Sequence, residues 1–278
     1  MTHHFIKLCV ILPSHFHNHF PGMISKNKTK YITALQKKKN RDDENLFVIE
    51  GDKIVREFLN ANVRLKILAA KPEFINSLPA EKLNLADETE IVSYEELKQM
   101  SSLKTPHNAL AVIEKKETVI DFDQVLTGLS VALDGIQDPG NLGTIIRAAA
   151  WFGIPSIVCS KESVDLYNPK VIQASMGAIL HVKVYYTALP EFLKEATEKK
   201  IPVFGTMLEG ESIYSHRLGK KGIILLGNES KGISSELVPF VSDRIFIPGM
   251  GSSKPGIESL NVGMAASIVL SEFSRRTA

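Results

Sequence analysis

Gly222-Ile223-Ile224-Leu225-Leu226-Gly227-Asn228-Glu229-Ser230-Lys231-Gly232 is the stretch whose reading decides the fold. An apolar run closed by glycine reads as a strand buried on both faces, and such strands belong to parallel sheets covered by helices. The polar, glycine-bounded run that follows is a tight loop at the strand's carboxyl end. Open parallel sheets bind ligands at that edge. Two other places repeat the pattern: Ile245-Phe246-Ile247-Pro248, running on to Glu258-Ser259-Leu260-Asn261-Val262, and Asp138-Pro139-Gly140-Asn141-Leu142-Gly143, which opens a helix carrying Arg147.

Outward from these loops, residues 129–278 alternate regularly. Strands are expected at Leu129–Leu133, Ser156–Cys159, Leu180–Tyr185, Val203–Gly205, Ile223–Leu226 and Ile245–Ile247. Helices are expected at Asn141–Phe152, Asn168–Met176, Leu189–Lys199, Ser234–Val241 and Ser259–Ser274. Repeated strand–helix units imply an α/β fold with a parallel sheet covered on both faces. Residues 116–128 are polar and read as a linker.

Residues 23–115 read as a separate, smaller α/β unit. Its strands are Leu46–Ile49, Leu65–Ala69, a run at Glu90-Ile91-Val92, and Ala109–Ile113, with helices at Lys53–Asn60 and Tyr94–Met100. It opens with a basic, acid-free helix over Met23–Arg41. Tyr31, Ile32 and Leu35 form its packing stripe, and Lys26, Lys28, Lys30, Lys37, Lys38, Lys39 and Arg41 are its cations.

The 278 residues suffice for two domains with cores of their own, and a net charge of +2 confines any affinity for nucleic acid to local patches. Two cysteines, Cys9 and Cys159, give neither a disulfide framework nor a zinc site, so a reducing, intracellular compartment is expected. Phe5–Leu12 is too short for a membrane helix and lacks the marks of a secretory signal. Residues 1–22 read as an extension outside the fold, and the alternating His15, His17 and His19 within it as solvated side chains, so no metal is expected.

In the helix after Asn141, the residues Leu142, Ile145, Ile146, Ala149 and Phe152 form the packing stripe, and Arg147 projects off it. The loop 227–232 lacks the lysine–serine ending of a Walker phosphate loop, and no strand leads into a G-x-G-x-x-G turn. Nucleoside-triphosphate and nicotinamide enzymes are therefore disfavoured.

Asn141-Leu142-Gly143-Thr144-Ile145-Ile146-Arg147, then Gly227–Gly232, then Ile247-Pro248 through Ser259-Leu260-Asn261-Val262, resemble the three ordered motifs of the SpoU/TrmH-type RNA ribose methyltransferases of the SPOUT superfamily. The preceding unit is similar to the ribosomal-protein-like substrate-binding domain found ahead of that catalytic domain. The resemblance implies a sheet closed by a deep trefoil knot, S-adenosylmethionine as cofactor, and a cytoplasmic homodimer with sites near the subunit interface. It implies cofactor contacts from Thr206, Gly227, Asn228, Gly232, Ile247 and Leu260, and a reacting group of Asn141, Arg147, Glu229, Ser259 and Asn261. A guanidinium stays protonated. Arg147 is therefore expected to grip a phosphate and stabilise developing alkoxide charge, oriented by a bidentate contact from Glu229.

Two departures from the motif stand out: a longer stretch, 249–258, before Ser259, and Gly263 where a serine is common. The resemblance makes RNA the substrate, ribosomal rather than transfer RNA, with the basic helix gripping phosphates. The competing readings are a catalytically silent RNA-binding or ribosome-assembly protein and a SPOUT enzyme that methylates a base.

Overall fold

The computed structural model describes residues 24–116, 118–249 and 259–277. The extension with its histidine tract, Cys9, and the 250–258 part of the long third loop lie outside the described residues, as does the passage on which the expected knot threading depends.

The upstream unit runs α1 (Lys26–Ala34), α2 (Lys38–Glu44), β1 (Leu46–Glu50), α3 (Asp52–Asn60), β2 (Leu65–Ala70), the short α4 (Pro72–Asn76) and α5 (Ala80–Leu83), β3 (Ala86–Ile91), α6 (Tyr94–Met100) and β4 (Ala109–Glu114). Its four strands are ordered β1-β4-β2-β3. β4 is antiparallel to both β1 and β2, and β2 is parallel to β3. Alternation along β4 divides the packing: Ala109, Ala111 and Ile113 face one core with Phe47, Phe58 and Leu68, while Leu110 and Val112 face another with Ile32, Leu35 and Leu97.

The single basic helix expected over Met23–Arg41 is in fact two. Leu35, Gln36 and Lys37 close three-residue turns onto Ile32, Thr33 and Ala34, and the chain restarts from an extended Lys37. Arg41 is the reason the break holds. Its Nη1 donates to the carbonyls of Leu35 and Gln36, which the helix end leaves free. Its Nη2 pairs with Asp165 of the following unit at 2.6 Å. At 2 % exposure Arg41 is a buried structural cation, not an RNA contact. Lys28 is likewise taken up by Glu88 and Glu90, and Lys38 by Asp42.

The larger unit is a six-stranded, wholly parallel sheet in the order β10-β8-β9-β5-β6-β7. It begins before the expected boundary, because α7 (Phe122–Val125), capped by Asp121, buries Val125 and Leu126 within the stretch read as linker. Then follow β5 (Leu129–Leu133), α8 (Pro139–Trp151), β6 (Ser156–Ser160), α9 (Pro169–Ser175), β7 (Lys183–Thr187), α10 (Leu189–Glu198), β8 (Val203–Ser212), β9 (Gly222–Leu226), β10 (Asp243–Phe246) and α11 (Val262–Thr277). Val131 and Leu133 face α8 and α11, whereas Ala132 faces α10, as burial on both faces requires.

Three elements differ from expectation. The helix expected at Ser234–Val241 is only a single turn at Val238–Phe240, because Pro239 lacks an N–H and Ser234 gives its own to Asp134. The third strand of this unit starts at Lys183, after a short turn at Ala178–Leu180. β8 runs on to Ser212, with residues 206–210 looped out where its register against β10 jumps from Gly205 to Glu211.

The two units touch through α9 and the turn before it. Besides Arg41 on Asp165, the Tyr167 ring lies 4.5 Å from that of Phe47, and Gln173 Nε2 donates to the Glu50 carbonyl at 2.9 Å. No described helix is long and apolar enough to cross a membrane.

Candidate active site

β5 and β9 are neighbours in the sheet but lead away in opposite directions, so the crevice beyond their carboxyl ends is the switch point where such sheets bind ligands. Leu133 lies opposite Leu226, and Asp134 N–H donates to the Leu226 carbonyl, which sets the turn at Gly135 beside the loop 227–232. That loop is a closed hairpin in which Asn228 and Gly232 exchange both backbone hydrogen bonds at 2.9 Å. A Cβ at Gly227 would run into the backbone of Gly232 and Ile233, so only glycine permits the closure.

Asn228 fixes the loop from both sides. Its Oδ1 accepts from Ser230 N at 3.0 Å and Lys231 N at 3.2 Å, and its Nδ2 donates to the Gly135 carbonyl at 2.6 Å. Glu229 then projects toward the start of α8. That helix begins at Asp138, whose side chain accepts from Asn141 N at 2.8 Å, with Pro139 at its first position.

The three distant loops meet at Asn141. Its Nδ2 donates to Glu229 Oε1 at 3.0 Å, and its Oδ1 accepts from Asn261 Nδ2 at 2.9 Å. Asn261 in turn caps α11, its Oδ1 accepting from Gly263 N at 2.9 Å and Met264 N at 3.3 Å. At Gly263 a Cβ would sit 3.2 Å from both Thr144 Cγ2 and Asn261 Oδ1, a tight fit where α11 crosses α8.

Arg147 lies six residues beyond Asn141, about 9 Å along the axis of α8. It is exposed, and its guanidinium has no hydrogen-bond or ion-pair partner among the described residues. The bidentate contact expected from Glu229 is therefore not made: Asn141, and at 3.4 Å Asn228, occupy that carboxylate instead. Ser259 is exposed and makes no side-chain hydrogen bond with the described residues.

The expected cofactor positions leave the same sheet edge, since β8, β9 and β10 are parallel neighbours. Thr206 Oγ1 donates to the Leu225 carbonyl at 3.1 Å, two residues before Gly227. Ile247 follows β10 and packs on the core. Gly232 has open space where its side chain would be, and Leu260 is 45 % exposed. A rim of backbone groups with apolar side chains is the kind of lining that an adenosine ring and a thioether chain fit. Asn228 differs from its expected part, since its amide is spent holding the loop to Gly135. Two contributors escaped the sequence reading. Asp134 and Gly135 end an ordinary buried strand, and only an Asp-Gly pair just past it marks the turn.

Residues 128–271 match the model of the SpoU rRNA Methylase family. The chain belongs to that family. Residues 26–111 match the MRM3-like substrate binding domain. The chain is 29 % identical to the 23S rRNA 2'-O-methyltransferase RlmP of Bacillus subtilis, over 87 % of this chain and 94 % of that protein. A protein of the TrmH family from Porphyromonas gingivalis is 36 % identical and superposes with a TM-score of 0.78, covering 92 % of this chain and all (100 %) of the other. The AdoMet-bound rRNA methyltransferase of Sinorhizobium meliloti gives a TM-score of 0.80 at 25 % identity, covering 92 % and 97 %.

Proposed function

We propose that this family member is an S-adenosylmethionine-dependent 2'-O-methyltransferase of ribosomal RNA that works as a homodimer in the cytoplasm. One observation carries the reading: the hydrogen-bonded chain Glu229–Asn141–Asn261, which gathers three loops at the switch point of a SpoU-family sheet. Support for ribosomal RNA comes from the relatives named above and from the upstream substrate-binding unit.

When bound, S-adenosylmethionine supplies an electrophilic methyl group on a sulfonium. The protein's part is to hold the ribose 2'-oxygen in line with it and to accommodate the hydroxyl's proton and developing charge. Asn141 and Asn261 stand as neutral hydrogen-bonding groups beside Glu229, whose carboxylate keeps lone pairs free for the ribose after accepting from two amides. Arg147, without a hydrogen-bond or ion-pair partner among the described residues, is assigned to taking an RNA phosphate in a bidentate grip and stabilising the alkoxide. Ser259 is assigned to fixing the ribose, and Thr206, Gly227, Gly232, Ile247 and Leu260 to lining the cofactor.

Homodimerisation is assigned to the outer face of α8 and α11, where Trp151 is 84 % and Met264 59 % exposed. Trp151 ends α8 and Met264 lies in the first turn of α11, just after the 45 % exposed Leu260, and these side chains are assigned to the contact. Four cations of the upstream unit, Lys26, Lys30, Lys37 and Lys39, are exposed and make no ion pair with the described residues. If these four neutralise phosphates, RNA affinity should fall with a log–log salt slope of roughly −3.

The direct test is transfer of labelled methyl from S-adenosylmethionine to purified ribosomal and transfer RNA pools, followed by alkaline hydrolysis. Label retained in alkali-resistant dinucleotides of ribosomal RNA is expected. Label in mononucleotides would mean base methylation, and no transfer despite RNA binding would mean a silent assembly factor.

A further inference from the structure

The upstream unit carries a second built surface, beside α6, which packs on α1. The strand directions bring the carboxyl ends of β1, β2 and β3 and the start of β4 to one end of its sheet. The loop 101–108 is fastened there. Glu50, the last residue of β1, is only 5 % exposed, and its carboxylate accepts from Ser101 Oγ, from Ser102 N at 3.0 Å and from Ser102 Oγ at 2.6 Å. At the loop's far end Asp52 accepts from Asn108 N at 2.9 Å and Asn108 Nδ2 at 2.7 Å. Burying a carboxylate is costly unless hydrogen bonds replace its water, and every side-chain hydrogen bond of Glu50 goes to this one loop. The chain thus holds a surface loop in a single shape.

That shape presents Lys104, Thr105 and His107 to solvent over a buried Pro106. Lys71 joins them, its N–H donating to the Asn108 carbonyl at 2.9 Å and its ammonium lying 5.5 Å from the centre of the Tyr94 ring. Lys71, Lys104 and His107 form no salt bridge with the described residues. In the same unit Lys28, Lys38, Arg64, Lys66 and Lys115 do, whereas Lys26, Lys30, Lys37 and Lys39 likewise do not. The backbone carbonyl of Glu50, which anchors the loop, also accepts from Gln173 of the catalytic unit.

We propose that the loop 101–108, with Lys71 and Tyr94, is a second RNA-contacting surface that grips the phosphate backbone at a fixed offset from the methyl-transfer site. This rests on the RNA reading above. A lysine on a pre-shaped loop, with Lys71 beside it, suits phosphate contacts, because a held loop loses little conformational entropy on binding.

The test compares Lys104→Glu, the double variant Lys71→Glu/Lys104→Glu, the conservative Lys104→Arg, and Lys194→Glu, which makes the same charge change on distant α10. Binding to an in vitro transcribed ribosomal RNA is measured across a salt series, with S-adenosylmethionine affinity and melting temperature as controls. We expect Lys104→Glu to weaken RNA binding about tenfold or more and the double variant further, with the salt slope shallower by about 1 per lost contact. Lys104→Arg and Lys194→Glu should stay within about twofold, and the controls should not move. If the two Lys104→Glu variants bind RNA no more weakly than Lys194→Glu, this surface is not an RNA contact, and the methyltransferase reading stands. If the wild-type protein binds no RNA, that reading fails and takes this one with it.

Discussion

Asn261 Nδ2 donates to Asn141 Oδ1 at 2.9 Å although 120 residues separate them, and Asn141 passes the connection on to Glu229 at 3.0 Å. Two amides in series fix a carboxylate and a helix cap in one frame. Asn141→Ala should lower kcat/KM by about 10- to 100-fold, the cost of leaving two polar partners unpaired, roughly 1–3 kcal/mol. Asn141→Asp should do more damage, because it sets a second carboxylate against Glu229. Steady-state kinetics with S-adenosylmethionine and ribosomal RNA measure both.

Arg147 makes no side-chain hydrogen bond or ion pair with the described residues, so removing it should leave stability within about 0.5 kcal/mol of the wild type. Its loss should show only in methyl transfer. Arg147→Ala and Arg147→Lys are each expected to reduce turnover by about 100-fold or more, since a lysine cannot reproduce the bidentate fork. Near-normal turnover by Arg147→Lys would overturn the phosphate-gripping role.

Arg41 should behave in the opposite way. Arg41→Ala leaves Asp165 without its buried partner and uncovers two helix-end carbonyls, and the expected destabilisation is about 3–5 kcal/mol. Lys30→Glu on the exposed side of α1 should weaken RNA binding without changing the melting temperature. Chemical denaturation of the two variants separates structural from RNA-binding cations.

Glu272 on α11 is held down to about 2 by hydrogen bonds from Arg275 and then Arg276, against an ordinary 4.5. A carboxylate depressed in the folded state contributes stability that is present above the unfolded value and lost as pH falls through the folded one. Acid melting of the wild type should therefore show a loss between pH 4.5 and about 2 that Glu272→Gln lacks. Arg276 also ties the helix end to the carbonyls of His216 and Tyr214, so the variant should melt lower at neutral pH as well.

Trp151→Glu places a charge at the carboxyl end of the outer α8 surface. Sedimentation is expected to show a dimer for the wild type and a monomer for the variant, with S-adenosylmethionine binding as the companion readout; a wild-type monomer would overturn the dimer reading.

Most of the larger unit was legible because its central strands β5, β6 and β9 are short, fully or nearly buried runs with a polar loop at the carboxyl end, a pattern that burial on both faces imposes. The meeting of Asn141, Glu229 and Asn261 was legible only through the ordered motifs, since no local period links positions so far apart. What escaped had local causes. Pro239 cut short a helix whose apolar spacing was sound, and Asp121 capped a turn of helix inside a polar stretch. Arg41 looked like one more cation in a basic run, and only the break after Ala34 reveals that it is turned inward.

That inward turn bears on how a target is chosen. Arg41 paired to Asp165 and Gln173 hydrogen-bonded to Glu50 tie the upstream unit to the catalytic unit across their seam. If the upstream unit grips RNA as proposed, that seam would act as a ruler, with a ribose selected by its distance from the gripped backbone rather than by the letters around it. Retargeting would require moving the ruler's zero mark, by recutting the seam between the units, and not merely redecorating the pocket.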